Sequence, residues 1–250
     1  MQQYLSLVRR EIGSFFISWN GYVVIAGVVF LFGLCFVNLI EALVRNPAEQ
    51  PLLEVFYSTA YFWFILLLAS PMITMRSFAL EKSLGTFETL MTAPVSDFVV
   101  VMAKFTGALL FYLLCWLPLL PCLWITHLFS NDPSVLNAGT VTSAFLGIGL
   151  LGAVYMSLGC FASALTRSQT IAAMVAFLLG VSLFLMSFLS LAFAGQGGWV
   201  AQTFAHLSLV EQMRDFARGY VDTRPVVFYL SLTALFLFFT HRVIESRRWK

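Results

Sequence analysis

The twenty residues GYVVIAGVVFLFGLCFVNLI, Gly21 to Ile40, contain no Asp, Glu, Lys or Arg. A helix of that length rises about 30 Å, the thickness of a bilayer's hydrocarbon core. The rest of the chain repeats the message. Of its 250 residues 60% are apolar and 10% charged, and the mean hydropathy is +0.89, against roughly 45–50% apolar and 25% charged in soluble proteins. So few charged groups cannot coat a water-facing surface, which excludes a soluble core, a secreted disulfide scaffold and a disordered chain. The fold class is all-α integral membrane.

Five further runs match the first. They are Val55 to Met75, Phe105 to Ser130 with Pro118 and Pro121 inside it, Gly139 to Leu165, Ser168 to Ala194, and a short run from Pro225 to Thr240. The two prolines predict a kink rather than a break, and Pro225 suits a first helical turn. Six spans put both termini on one side. Lys and Arg accumulate in cytoplasmic loops. With the amino terminus inside, ten of the fourteen fall there, Arg9, Arg10, Arg76, Lys82, Lys104, Arg167, Arg242, Arg247, Arg248 and Lys250, against Arg45, Arg214, Arg218 and Arg224 outside. The reading is N-in and C-in, with the first span retained rather than cleaved as a signal. No tandem repeat or low-complexity linker divides the chain, so residues 1–250 read as one membrane domain.

Net charge is +2, too balanced for a surface that tracks nucleic-acid phosphates, so no nucleic-acid partner is expected. Cys35, Cys115, Cys122 and Cys160 lie in apolar runs without C-x-x-C spacing and read as packing residues. His127, His206 and His241 are widely spaced near span edges, which argues against a metal site. Gly147-Ile-Gly149-Leu-Leu-Gly152 satisfies G-x-G-x-x-G, but inside a span with no preceding strand it reads as close helix packing. Trp19, Tyr22, Tyr57, Tyr61, Trp116, Trp124 and Trp199 fit interface belts or ordinary packing. No residue is assigned to substrate.

Three segments outside the spans carry the functional information. In residues 4–19, Leu5, Val8, Ile12, Phe15, Phe16 and Trp19 recur at helical spacing opposite Arg9, Arg10 and Glu11. This predicts an interfacial helix that turns into the first span near Asn20-Gly21, and it also fits a plain membrane anchor. Residues 76–97 mix charges with Phe87, Leu90 and Met91, which suits docking onto another protein or packing under the helices. In residues 195–224, Ser208-Leu209-Val210-Glu211 forms a capping box. It should start a short helix, apolar at Leu209, Val210, Met213, Phe216, Ala217 and Tyr220, polar at Glu211, Arg214, Asp215 and Arg218, and stopped at Gly219. It could half-enter the membrane as a lid or rest on its surface.

The sequence has no G-x-x-x-x-G-K-[ST] loop, no H-E-x-x-H and no G-x-S-x-G. No charged residue falls at the expected centre of a span, where proton-coupled carriers keep their relays. The chain therefore reads as a body without an engine. A carrier or channel that needs no ATPase, a scaffold that transports nothing, and a membrane-embedded enzyme are the competing classes.

At Pro71 to Arg76, Glu81-Lys82-Ser83-Leu84-Gly85-Thr86-Phe87-Glu88-Thr89-Leu90-Met91-Thr92-Ala93-Pro94-Val95-Ser96-Asp97 and Lys104-Phe105 the sequence resembles the membrane subunits of ABC-2 type ATP-binding cassette exporters. The branch that includes the gliding-motility-type permease shares the pattern E-x-x-x-G-T-x-E-x-L-x-x-x-P-[VL]-S. A second similarity runs from Leu209 to Tyr220 and from Tyr229 through Trp249. The resemblance implies six spans with an amino-terminal elbow helix, and a second permease copy or a related permease as dimer partner. It also implies a cytoplasmic ABC ATPase that carries ATP and Mg²⁺, no cofactor on this chain, and a place among the lipids of the bacterial cytoplasmic (inner) membrane. It maps the coupling helix onto about residues 81–92, with Glu81, Lys82 and Glu88 as polar contacts to the ATPase, Phe87, Leu90 and Met91 as anchors, and Gly85 as the bend. Pro94 and Ser96 would end that element and cap the third span. The connection between spans five and six would form an outer gate, with Leu209, Glu211, Met213, Arg214 and Phe216 in it.

Overall fold

The computed structural model describes residues 2–45, 52–87, 96–129, 138–193 and 208–248. Every regular element among them is helical: α1 (Gln2–Ile17), α2 (Trp19–Arg45), α3 (Leu52–Ser58), α4 (Ala60–Thr74), α5 (Ala79–Leu84), α6 (Asp97–Trp116), α7 (Leu119–Phe129), α8 (Ala138–Leu165), α9 (Gln169–Phe193), α10 (Leu209–Ala217) and α11 (Thr223–Arg248). Six stretches are long and apolar enough to cross a membrane: 19–41, 60–84, 97–126, 138–165, 169–188 and 223–246.

The helix expected over residues 4–19 is present, but it ends at Ile17 and the chain turns at Ser18. Trp19 therefore opens the first span, almost fully exposed, instead of closing the apolar face of α1. The turn is tight enough that a Cβ on Gly21 would lie 2.0 Å from the Phe15 carbonyl oxygen, so only glycine fits. The second span starts later than Val55. The chain breaks at Thr59, whose hydroxyl and amide both donate to Phe56 O at 2.6 and 3.2 Å, leaving α3 as a separate short helix.

The third span starts earlier than Phe105. Ser96 stands at the N-cap in an extended conformation and α6 begins at Asp97, which draws Lys104 inside the helix. At Leu117-Pro118, between α6 and α7, i→i+3 bonds replace the α-helical pattern: Leu117 N–H donates to Leu114 O and Leu120 N–H to Leu117 O. The prolines thus interrupt the regular helix within a stretch that runs on as one candidate span to Thr126. The sixth helix runs to Arg248 rather than Thr240, with Arg242 and Glu245 paired one turn apart at 2.9 Å.

The most buried span is α8, which packs against α4, α6, α9, α10 and α11. Small residues make that possible. A Cβ on Gly152 would fall 2.1 Å from the Tyr112 ring, and one on Gly159 would fall 2.0 Å from Thr74 Oγ1. The G-x-G-x-x-G stretch is thus a packing surface at Gly147 and Gly152, where Phe216 and Tyr112 close in. Around it lies an aromatic cluster of Phe32, Phe56, Tyr57, Phe62, Tyr112 and Trp116. Tyr57 and Trp116 are core residues, whereas Trp19, Tyr22 and Trp124 are exposed as an interface belt requires. Trp199 lies outside the described residues. The four cysteines are unbridged.

Candidate functional site

The end of the bundle that carries the amino terminus is built around a single lysine. Lys104 is 4% exposed, and an ammonium taken out of water must be matched by opposite charge. Its Nζ donates to Glu11 Oε1 at 3.0 Å and to Glu81 Oε1 at 2.9 Å. Arg10 Nη2 reaches the same two oxygens, at 3.2 and 3.3 Å, from a more exposed position. Three sequence-distant elements, α1, α5 and α6, are thereby fastened by one ionic knot. Tyr4 adds a hydroxyl contact to Thr106 at 2.7 Å, and Phe15 stacks on Phe111 with ring centroids 4.4 Å apart. Glu11, on the polar side of α1 in the sequence pattern, turns inward because Gly107 lets α1 approach closely: a Cβ there would sit 2.8 Å from that of Glu11.

The short helix α5 is held from the other side by α8. Ser163 Oγ, fully buried, accepts from the amides of Phe78 and Ala79 at 3.0 Å each and donates to Met75 O at 3.1 Å. One hydroxyl thus satisfies the backbone at the turn between α4 and α5, where helix ends leave unmatched groups. Lys82 Nζ donates to the carbonyl of Ala164 near the carboxyl end of α8, where the helix dipole favours a cation. The same ammonium lies 5.2 Å from the centre of the Phe87 ring. Gly85 closes α5 in the left-handed conformation, at φ 73°.

Of the residues read from the sequence for coupling, Glu81, Lys82 and Phe87 thus point into the chain's own packing, and Gly85 is the helix stop. Glu88, Leu90, Met91 and Pro94 lie outside the described residues. What α5 turns outward is Ser83 and Leu84, the latter 67% exposed. Glu11, Lys104 and Ser163 were not singled out for this site. Lys104 did leave a signal: it is the only Asp, Glu, Lys or Arg between residues 98 and 130, and such a residue inside a span calls for a partner.

At the opposite end, α10 is inserted among the spans. Ser208 caps it, accepting from Glu211 N–H at 3.4 Å as the capping box predicts, and Gly219 ends it at φ 88°. Leu209, Met213, Phe216 and Ala217 are buried, whereas Tyr220, expected on that face, is exposed beyond the stop. Glu211 and Arg214 lie toward the surface, 3.9 Å apart. Ser143 of α8 donates to Phe216 O at 2.6 Å, and Leu209 N–H donates to Ser187 of α9 at 3.0 Å. The preceding residues 195–207, His206 included, lie outside the described residues.

Arg218 then clamps this helix to α3 through a two-pronged pair, Nε to Glu54 Oε2 at 3.0 Å and Nη2 to Glu54 Oε1 at 2.5 Å. The Arg218 hydrogen bond holds the Glu54 carboxyl below the usual carboxylate range. A depressed folded-state value means that the clamp stabilises the docked helix above the unfolded carboxylate range and is lost as the pH falls through the folded value. Glu54→Gln should imitate the acid state at neutral pH. Amide exchange across residues 209–217 is expected to speed up in that variant and in wild-type protein at acid pH after correction for intrinsic rates. Unchanged protection in both would show that the clamp does not hold α10.

Among the described residues no group of three or more His, Cys, Asp or Glu is placed to hold a metal. No curated protein matches the chain. A family model described as ABC-2 family transporter protein matches residues 3–247, which spans every element of both ends, from the ionic knot to the clamped helix. The chain is therefore a multi-pass membrane protein that belongs to the ABC-2 family of transporter proteins.

Proposed function

We propose that the chain is the permease subunit of an ABC-2 exporter. It lines the translocation path beside a second copy or a related permease, and takes its power from a separate cytoplasmic ATPase that holds ATP and Mg²⁺. The end carrying Lys104 faces the cytoplasm of a bacterial inner membrane, as the ten-to-four distribution of Lys and Arg favours. Placement in the gliding-motility-type branch rests on the block from Glu81 to Ser96 alone.

The observation that carries the reading is the double anchorage of α5. Coupling requires that movement at an ATPase contact become tilt of the spans, and a loosely hung loop would absorb it. Instead α5 is bolted to α1 and α6 through Glu81 and to α8 through Lys82 and the Ser163 hydroxyl. In this scheme Glu81, Lys82 and Phe87 make the lever stiff. Ser83, Leu84 and the residues just beyond Phe87, with Glu88, Leu90 and Met91 among them, meet the ATPase. At the other end α10, with Leu209, Met213 and Phe216 as its buried face and Glu211 and Arg214 outermost, serves as the outer gate.

Leu84 offers the cleanest test, because an exposed leucine contributes little to the fold of the free subunit. Leu84→Arg should leave the thermal unfolding of the purified permease unchanged. It should weaken binding to the partner ATPase by about tenfold, equal to 1.4 kcal/mol, and lower nucleotide-driven flux in proteoliposomes to match. Flux through the permease alone, without nucleotide or ATPase, would replace this reading with a secondary carrier. ATP hydrolysis by the full complex that moves no cargo would replace it with a scaffold.

A further inference from the structure

Between α1, the start of α2 and the ends of α4 and α5 lies a cavity of about 330 Å³, within the roughly 300–1,000 Å³ of small-molecule sites. Its lining mixes Arg10, Ser14, Ser18, Arg76, Glu81 and Lys104 with apolar Phe15, Val24, Met72 and Phe111. It sits at the amino-terminal end of the bundle, because Gly21 lies near the start of one span, Ile73 and Ser77 lie at the carboxyl end of α4 and Lys104 lies near the start of a third.

The charges of the lining do not cancel. Arg10, Arg76 and Lys104 stand against Glu11 and Glu81, and Lys104 is already matched by both carboxylates. The surplus is one positive charge, and Arg76 is placed to carry it. Among the described residues its guanidinium donates to Ser18 Oγ and to Gln169 Oε1, two neutral acceptors. Three of its five N–H groups remain for an anion.

We infer that this cavity binds the headgroup of a membrane phospholipid whose phosphodiester meets Arg76 and Arg10. A phosphodiester supplies the single negative charge that balances the lining, and Arg grips phosphate oxygens in a forked arrangement. Met72, an exposed apolar residue of the lining, marks where acyl chains would leave. The site rests on the membrane-spanning reading and not on coupling to an ATPase.

Native mass spectrometry of the full-length chain, delipidated in detergent and titrated with each lipid, tests this directly. Ethanolamine, glycerol and choline phospholipids should each give one retained adduct, because the grip is on the phosphodiester they share. Arg76→Gln should abolish the retained adduct for all three. Should that variant fail to fold, Ser14→Leu, at an exposed position of the lining, should lower adduct occupancy without changing thermal unfolding in lipid-free detergent. No retained adduct on the wild type, or one unchanged in Arg76→Gln, would overturn the inference. Equal displacement by soluble glycerol phosphate would overturn the lipid half and leave a site for a free phosphate ester.

Discussion

Replacing Lys104 by methionine is expected to cost roughly 3 kcal/mol, the low end of the loss caused by removing one partner of a buried ion pair. The low end applies because Arg10 still reaches both carboxylates and the two carboxylates are partly solvated. Methionine keeps most of the volume, so the loss reads charge rather than packing. Glu11 and Glu81, now both near an empty nitrogen position, repel each other across α1 and α5. The variant Lys104→Met with Glu81→Gln should therefore recover part of the loss, a coupling that separate destabilisations would not give. Unfolding in mixed detergent micelles measures it. In the complex, Lys104→Met should lower nucleotide-driven transport more than ATPase binding, since the contact remains while the lever beneath it loosens. A Lys104→Met protein that unfolds within about 0.5 kcal/mol of wild type, the range of an ordinary surface change, would mean that water already screens the knot.

The six spans were legible because a bilayer demands about 20 apolar residues in a row whatever the tertiary packing. Their ends were less so. Phe105 marks where charges stop, but α6 begins at Asp97 because a lysine can be buried once two glutamates travel to meet it, and those come from residues 11 and 81. The capping box at Ser208 was readable because it is local. The clamp between Glu54 and Arg218 was not, its halves standing 164 positions apart. Mixed composition in residues 76–97 marked the segment as one that contacts protein. It could not say whether Glu81 and Lys82 face a partner subunit or their own chain, since a charge turned inward and a charge turned outward look alike in a list of residues. The Ser163 hydroxyl left no pattern at all, because its worth comes from backbone amides of another helix.

Gly159→Leu should be at least as damaging, at about 3 kcal/mol or more, above the usual range for added methylenes in a packed core. The first new atom already falls 2.0 Å from Thr74 Oγ1 and 2.6 Å from Thr74 Cβ. Thr74 cannot step aside: it is fully buried, its β-branched side chain is stiff, and its hydroxyl donates to Ser70 O at 2.8 Å. Helices α4 and α8 must then separate. One turn further along α8, that separation pulls Ser163 from the amides of Phe78 and Ala79, so the damage reaches α5 as well. Gly33→Leu makes the same chemical change on α2, where nothing lies within 4 Å of a new Cβ, and should not destabilise, leucine being the better helix former by under about 1 kcal/mol. Removing the obstacle separates sterics from helix propensity. Gly159→Ala alone should be poorly tolerated, and adding Thr74→Gly should restore folding in detergent, although glycine is the weaker helix former at position 74. If Gly159→Ala folds as well as wild type, or the double variant fares worse than Gly159→Ala, close contact between these two spans is not what seats α5.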